Sequence, residues 1–445
     1  MRNFTQRRID RFFALPNDTA TSPEVVQHFR RNFLVNFGDI TMWLFGASFV
    51  SVSTILPVYA TKLTDSPLVI GLIPALTDAG WFLPQLFMAP YVERLTRKLP
   101  TIAWLGTLER VPYLVLALAV LWLNTLPRPI AVVIFLVIIA WKSLASGLVA
   151  MPWQELIATA IPVSHRGRFF GISHLTGHLL GVAGASIAAI ILARLPYPRN
   201  FALTFFIGFL GITLSFVFFL MNIEPQTTRP AVLQNNHQHY LQRLSSILRG
   251  NTNFRTYLLS RGFTYFGGMA YGFMAVYGVQ RFGLPDAQAA VFTAILFASG
   301  VAGYALWGPI GDRVGHKRVL ELTGAFWLVA LLMALMAQSV EVFYAVFALM
   351  GINRAGGVLG DLNIAMEFGP EVERPTYIGL ARTVTGPVLF LAPLMGGAIL
   401  QLTSYPVMLG VSLVFAVAGL VILRFRVVEP RGLPTTTSLP NGSQK

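Results

Sequence analysis

Residues 308–318 read Gly-Pro-Ile-Gly-Asp-Arg-Val-Gly-His-Lys-Arg, a glycine-punctuated, mostly basic stretch wedged between two long apolar spans. A degenerate copy, Ala89-Pro-Tyr-Val-Glu93-Arg94-Leu-Thr96-Arg97-Lys98, stands 219 residues earlier, again between apolar spans. One such loop could arise by chance. Two copies half a chain apart, in the same hydrophobic setting, indicate a duplicated membrane protein.

Composition supports that reading independently. The chain is 55% apolar and 12% charged, against roughly 25% charged in soluble domains. Apolar runs of about 20 residues or more recur along most of its length, each enough to cross a bilayer as a helix. A β-barrel would instead show alternating segments of about 10 residues. The net charge of +14 does not point to nucleic acid, because the basic residues are spread over many short loops. There is no cysteine, so disulfides, thiolate metal sites and cysteine nucleophiles are excluded. The polar segment 1–32 has no apolar core followed by a small-residue cleavage site, so no removable signal peptide is expected.

Twelve spans are predicted, at 35–60, 68–88, 101–123, 130–158, 169–193, 201–223, 256–280, 288–310, 319–338, 342–367, 377–401 and 405–427. With the N-terminus inside, the cytoplasmic segments hold 23 lysines and arginines and the external loops five: Lys62, Arg128, Arg194, Arg199 and Arg281. That asymmetry puts both termini in the cytoplasm. The polar stretch 224–255 divides the spans six and six, giving a cytoplasmic segment 1–34, bundles at 35–223 and 256–427, and a disordered tail at 428–445. Ser22-Pro23-Glu24 predicts a helix start, with serine as N-cap and proline in the first turn. Val25, Val26 and Phe29 would then lie on the membrane surface.

The halves match beyond the first loop. Ile161-Pro162-Val-Ser-His165-Arg166-Gly167-Arg168-Phe-Phe-Gly171 aligns with Gly369-Pro370-Glu-Val-Glu373-Arg374-Pro-Thr-Tyr-Ile-Gly379 at a spacing of 208. Glu224-Pro225 aligns with Glu429-Pro430 at a spacing of 205. Three paired landmarks in one order make a six-plus-six duplication.

These motifs resemble those of the major facilitator superfamily, in the loop after the second helix and its repeat after the eighth. The 308–318 loop matches strongly. The 89–98 loop departs, with alanine, glutamate and threonine where glycine, aspartate and glycine are expected. The resemblance implies an all-α membrane protein of twelve transmembrane helices in two pseudo-symmetric six-helix bundles. The first, fourth, seventh and tenth helices would line a central cavity. It also implies a cytoplasmic gate, in which Asp312 approaches Arg166 or Arg168, and Glu93 approaches Arg374. In that gate Gly308, Gly311 and Gly315 permit a tight turn, while Arg94, Arg313, Lys317 and Arg318 hold the loops inside. The other reading leaves the basic residues as topology anchors alone.

Charges within the spans are the candidate site, because an ionised side chain in hydrocarbon costs a few kcal/mol or more and faces the bundle interior or water. Lys142 and Arg354 lie near the middle of the fourth and tenth spans, which the duplication relates. Together they would attract an anionic group; alternatively each is neutralised by a structural carboxylate, Asp78 and Glu109 being the candidates for Lys142. Asp361 is about 10 Å along the helix from Arg354. It is either a coupling carboxylate or the partner of Arg261 or Arg382. Asp78 and Asp39 are further coupling candidates, Asp39 equally an interfacial polar residue. Glu109 and Arg110, being adjacent, are expected to point apart. His174 and His178 share a helix face and would carry protons, supply half a metal site or make a polar helix contact.

The leading function is a secondary transporter for a small organic solute, anionic or zwitterionic, with H+ or Na+ as the candidate coupling ion. A multidrug or metabolite exporter of the same fold is the alternative. The glycine-proline and double-glycine pattern of many drug exporters is missing from the fifth span; Gly386-Pro387 and Gly396-Gly397 in the eleventh come nearest. A membrane enzyme would need a convergent nucleophile–base or metal set, and none is read. A non-transporting sensor would be favoured by a large extra soluble domain, which the sequence lacks. No Gly-x-x-x-x-Gly-Lys-Ser/Thr motif is present, so ATP is not the direct driver. No cofactor, metal or nucleic acid is expected, and the chain is expected to be a monomer in the cytoplasmic membrane.

Overall fold

The first helix begins at Pro23, where Ser22 accepts a hydrogen bond from the Val25 N–H at 3.4 Å and the proline occupies the first turn. The chain is described by a computed structural model at residue 13 and over residues 22–92, 94–225, 246–370 and 373–431. The predicted cap is therefore found, but its consequence differs from expectation. The helix runs without interruption into the first span, and Val25 and Phe29 are buried; only Val26 is exposed. Phe29 packs with Phe33, Ile157, Phe169 and Phe219, which stabilises more than lying flat on a membrane surface would.

The helices in chain order are α1 (Pro23–Phe49), α2 (Ile55–Ala60), α3 (Pro67–Val92), α4 (Leu99–Leu123), α5 (Arg128–Ala160), α6 (Val163–Arg194) and α7 (Arg199–Leu220) in the first half. The second half holds α8 (Thr252–Gly267), α9 (Met274–Arg281), α10 (Ala287–Val314), α11 (His316–Met336), α12 (Val340–Glu367), α13 (Arg374–Leu402) and α14 (Tyr405–Arg426). Among the described residues, ten helices are long and apolar enough to cross a membrane. The first and seventh predicted spans are each broken into two pieces, α1 with α2 and α8 with α9.

Both breaks free backbone groups that hydrocarbon cannot satisfy, and both are served by neighbours. At the first, Thr54 and Ser51 bond to each other at 2.6 Å, and the Leu56 N–H reaches the Ser51 carbonyl at 3.0 Å. At the second, the Gly267 carbonyl accepts from Trp327 Nε1 at 2.8 Å and from the Ser412 hydroxyl. A buried polar group left without a partner costs about 1–3 kcal/mol, so these side chains stabilise the interruptions.

The duplication recurs in the packing. Helix α1 packs on α6 and α7, as α8 packs on α13 and α14. Helix α4 packs on α5 and α7, as α11 packs on α12 and α14. Phe33 and Phe169 meet edge to face with centroids 5.2 Å apart, and Phe254 meets Tyr377 in the same way at 4.8 Å. Phe169 and Tyr377 are separated by the same 208 residues as the flanking loop motifs. Close approach of α3 and α5 depends on glycine: a Cβ on Gly147 would stand 2.1 Å from the Gly80 carbonyl oxygen.

By contacts the chain divides into two compact units. The described residues up to 225 form one together with Tyr271–Ala298; those from 246 to 270 and from Ser299 to 431 form the other. Residues 271–298 pack within the first unit, where Gly272 approaches Pro74, the Thr54 and Thr293 hydroxyls are 2.5 Å apart, and Lys62 pairs with Asp286 at 2.8 Å. Most of the expected linker, the tail beyond 431 and Glu93 lie outside the described residues.

Candidate functional site: intramembrane charges and the paired loops

In the first unit the span charges converge on a buried polar core. Asp39 on α1 accepts from the Ser215 hydroxyl of α7 at 2.5 Å and from Trp153 Nε1 of α5 at 2.8 Å. Glu109 on α4 accepts from the Ser146 hydroxyl of α5 at 2.5 Å and pairs with Arg110. The expectation that Glu109 and Arg110 point apart is corrected. Adjacent Cβ atoms do diverge, but both arms are long enough to curl back, and the apolar surroundings leave each charge little else. The Arg110 guanidinium lies over the rings of Phe216 at 4.4 Å and Trp43 at 5.5 Å.

Lys142 is buried on α5, its ammonium 5.7 Å from the centre of the Tyr113 ring. The carboxylates of Glu109 and Asp78 are the charges that act on it. Arg354 is exposed on α12, and its charge acts on the Tyr304 phenol of α10. His178 Nδ1 lies 2.8 Å from the His174 carbonyl, and Phe297 packs against the His178 ring at 5.3 Å. Among the described residues no group of three metal-ligating side chains occurs.

In the second unit Asp361 on α12 is the centre of a cluster. It accepts from Arg261 Nη2 at 2.7 Å, from the Tyr265 hydroxyl at 2.9 Å and from the Tyr257 hydroxyl at 3.3 Å. Of the two partners considered from the sequence, Arg261 is the one that meets it. Neither tyrosine was singled out in the sequence; their spacing from Arg261, four residues before and four after, places all three on one helix face.

The loops carry a second network. Helix α10 continues through Gly308 and Gly311 to Val314, so the loop expected over 308–318, with a tight turn shared by three glycines, is corrected to a turn at one residue. Within that stretch only Gly315 has a positive φ, +99°, which glycine adopts without steric cost. Gly308 has nothing within 4 Å of a built Cβ, while Gly311 faces the His316 ring. His316 pairs with Glu367 at 2.8 Å. Lys317 and Arg318 pair with Glu321 at 3.2 and 2.7 Å. The Arg431 guanidinium donates to the carbonyls of Gly311 and Asp312 at 3.1 and 2.8 Å. Asp312 and Arg313 are themselves exposed, as are Arg94, Arg168 and Arg374. Arg166 bonds to the carbonyls of Ile161 at 3.0 Å and Ala158 at 2.5 Å, capping the negative end of α5.

Glu321, Glu367 and Arg431 had no sequence signal. The Glu-Pro pairs did, as a repeat, and their role is now visible. The Glu224 carboxylate accepts from the N–H groups of Lys98 and Leu99 at 2.6 and 3.0 Å, capping α4. Glu429 stands at the start of α11, the equivalent helix of the second half.

The family model of the Major Facilitator Superfamily matches residues 38–306 and 257–442. No curated protein matches the chain. Among solved structures the chain is similar to a point mutant of the nucleoside transporter NupG, at 13% identity and a TM-score of 0.68 over 88% of this chain and 99% of that one. It is similar to a D-xylose–proton symporter, at 14% identity and a TM-score of 0.67 over 90% and 99%. A bacterial homologue of the iron transporter ferroportin, in its inward-facing state, gives 16% identity and a TM-score of 0.65 over 88% and 97%. Identities this low speak for the fold alone; the family match covers most of the chain. On that ground the chain belongs to the major facilitator superfamily, as a multi-pass membrane protein of solute transport.

Proposed function

We propose that the chain is a secondary transporter that moves a small organic solute, anionic or zwitterionic, across the cytoplasmic membrane by alternating access. An H+ or Na+ gradient, or the solute's own gradient, drives it. Lys142 and Arg354 attract the anionic group, and Asp39, Asp78 and Asp361 are the candidate coupling carboxylates. Both termini face the cytoplasm.

The observation that carries this reading is how residues 271–298 are held in the first unit. The Thr54–Thr293 hydrogen bond and the Lys62–Asp286 ion pair are both polar, and the ion pair is partly exposed. A partly exposed ion pair contributes about 0–1 kcal/mol, and a neutral hydrogen bond about 0.5–1.5 kcal/mol. The two together match the few kcal/mol that separate interconverting conformations. The bias of basic residues puts these contacts on the external side, where they close one of the two access routes.

Uptake of labelled solutes into proteoliposomes tests the reading, with anionic, zwitterionic and neutral compounds compared against protein-free vesicles. Saturable uptake of an anion or zwitterion is expected. Uptake no faster than in empty vesicles for every class would leave a non-transporting membrane protein. A reporter fused after Lys445 is expected to be active only in the cytoplasm; an external signal overturns the orientation.

A further inference from the structure

The Arg261–Asp361 cluster is satisfied on one side only. Asp361 receives three donors, from Arg261, Tyr265 and Tyr257. Arg261 has five N–H donors, and its Nη2 serves Asp361 while its Nε is buried with no acceptor among the described residues. The side chain is 7% exposed, so water does not make up the difference, and an underused buried guanidinium is a costly arrangement. The Tyr265 ring lies 4.7 Å from the guanidinium carbon and blocks one face, which confines a further ligand to the edge.

A neighbouring charge points the same way. Arg382 on α13 is exposed, and it interacts electrostatically with the Tyr265 phenol. Arg382 thus adds a second guanidinium beside the Arg261–Asp361 pair, on the side of Tyr265. The guanidinium edge matches a carboxylate in a bidentate fork. Asp361 keeps 25% of its side chain exposed, so the cluster opens on that side.

We propose that Arg261 is the receptor for a solute monocarboxylate, and that Asp361 is the resident counter-ion competing for the same guanidinium. Arg382 stands at the rim and draws the anion in. This rests on the transporter reading, names the solute's anionic group as a carboxylate, and gives that group to Arg261 in place of Lys142 and Arg354, with Asp361 as its counter-ion. The two aromatic hydroxyls hold Asp361 in place when the solute's carboxylate takes the edge of Arg261, so no bare carboxylate is left behind.

The test is a thermal-shift series on the purified full chain. The probes are monocarboxylates, from formate to octanoate with benzoate and common α-amino and α-hydroxy acids, each compared with its neutral amide. A ligand that binds the folded state raises the melting temperature by mass action. At least one acid is expected to stabilise the parent where its amide does not. Arg261→Lys keeps the charge but loses the fork, and is expected to weaken that acid about tenfold or more. Asp361→Asn removes the competitor and is expected to strengthen it about tenfold, a gain that misfolding cannot mimic. No stabilising acid for the parent, or unchanged or weaker binding by Asp361→Asn, overturns the proposal. Proteoliposome uptake separates its failure from that of the transporter reading. A neutral solute carried while no carboxylate binds sinks Arg261 as receptor alone; a carboxylate bound while nothing is carried sinks transport alone.

Discussion

Glu429 lies directly against Gly315: a Cβ built on that glycine would stand 2.5 Å from Glu429 Oε2. In the other half Glu224, 205 residues earlier, caps the N-terminus of α4. The repeated Glu-Pro pair thus ends the sixth span of each half by returning to the start of the third. The glycine admits the carboxylate in the second half and makes the one-residue turn between α10 and α11.

Gly315→Ala is expected to destabilise the protein by roughly 1–3 kcal/mol, because its φ of +99° is strained for alanine and the added methyl meets Glu429. Gly308→Ala is expected to be neutral or to stabilise by up to about 1 kcal/mol, since Gly308 is helical with open space around it. Melting temperatures of the two variants check this. Equal effects would mean that the turn is not confined to Gly315.

Glu429 also predicts a pH dependence. Burial pushes its carboxyl above the ordinary 4.5, and the nearby charge of Glu367 adds to this, while the Arg431 N–H, His316 and Lys317 oppose it. A carboxyl raised in the folded state binds its proton more tightly there than in the unfolded chain. Its contribution is fully present below pH 4.5 and is lost as pH rises through the folded value. Glu429→Gln removes that slope. The melting temperature of the parent relative to the variant is expected to climb as pH falls toward 4.5. A parallel pair of curves over that range would remove Glu429 from the acid response.

The spans, the duplication and the helix start at Ser22 were legible because each rests on local chemistry: apolar run length, motif spacing, a capping residue. The breaks after Phe49 and Gly267 were not. The first falls at Ser51-Val52-Ser53-Thr54 and the second at Gly267-Gly268, small and hydroxyl residues that an apolar span also tolerates, and the partners Thr293, Trp327 and Ser412 are distant in sequence. The choice of Arg261 over Arg382 as the direct partner of Asp361 depends on helix rotation, which a sequence does not carry. The Glu109–Arg110 pairing is not legible in sequence because diverging Cβ directions do not constrain long side chains whose charged ends reach past their neighbours. The glycines and charges of 308–318 suggest a loop, yet helices continue well into polar sequence and one glycine suffices to turn.

The Glu109–Arg110 pair supports a double-mutant test. Glu109→Gln leaves Arg110 as a buried cation between Trp43 and Phe216, and loss of about 3–5 kcal/mol is expected. Adding Arg110→Met removes the stranded charge and is expected to restore most of the loss. Thermal unfolding of the two variants in detergent decides it. A double variant no more stable than the single one would mean that Arg110 is held by the aromatic rings and not by Glu109.

The contacts of Thr293 and Asp286 lead to the sharpest test of alternating access. If Lys62–Asp286 closes the external route, it must open once in every cycle. The chain has no cysteine, so a pair introduced by Lys62→Cys with Asp286→Cys is the only thiol pair present. Each single replacement removes an ion pair worth about 0–1 kcal/mol, so transport by the reduced double variant is expected to stay within a few-fold of the parent. Oxidation to the disulfide is expected to abolish transport, and a reductant to restore it. The single variants under the same oxidant supply the control for non-specific damage. Binding in detergent to the cytoplasm-accessible side is expected to survive the cross-link, because only the external route is locked. Transport at the reduced rate by a fully cross-linked protein would mean that these contacts never part, and that residues 271–298 are a fixed part of the first unit.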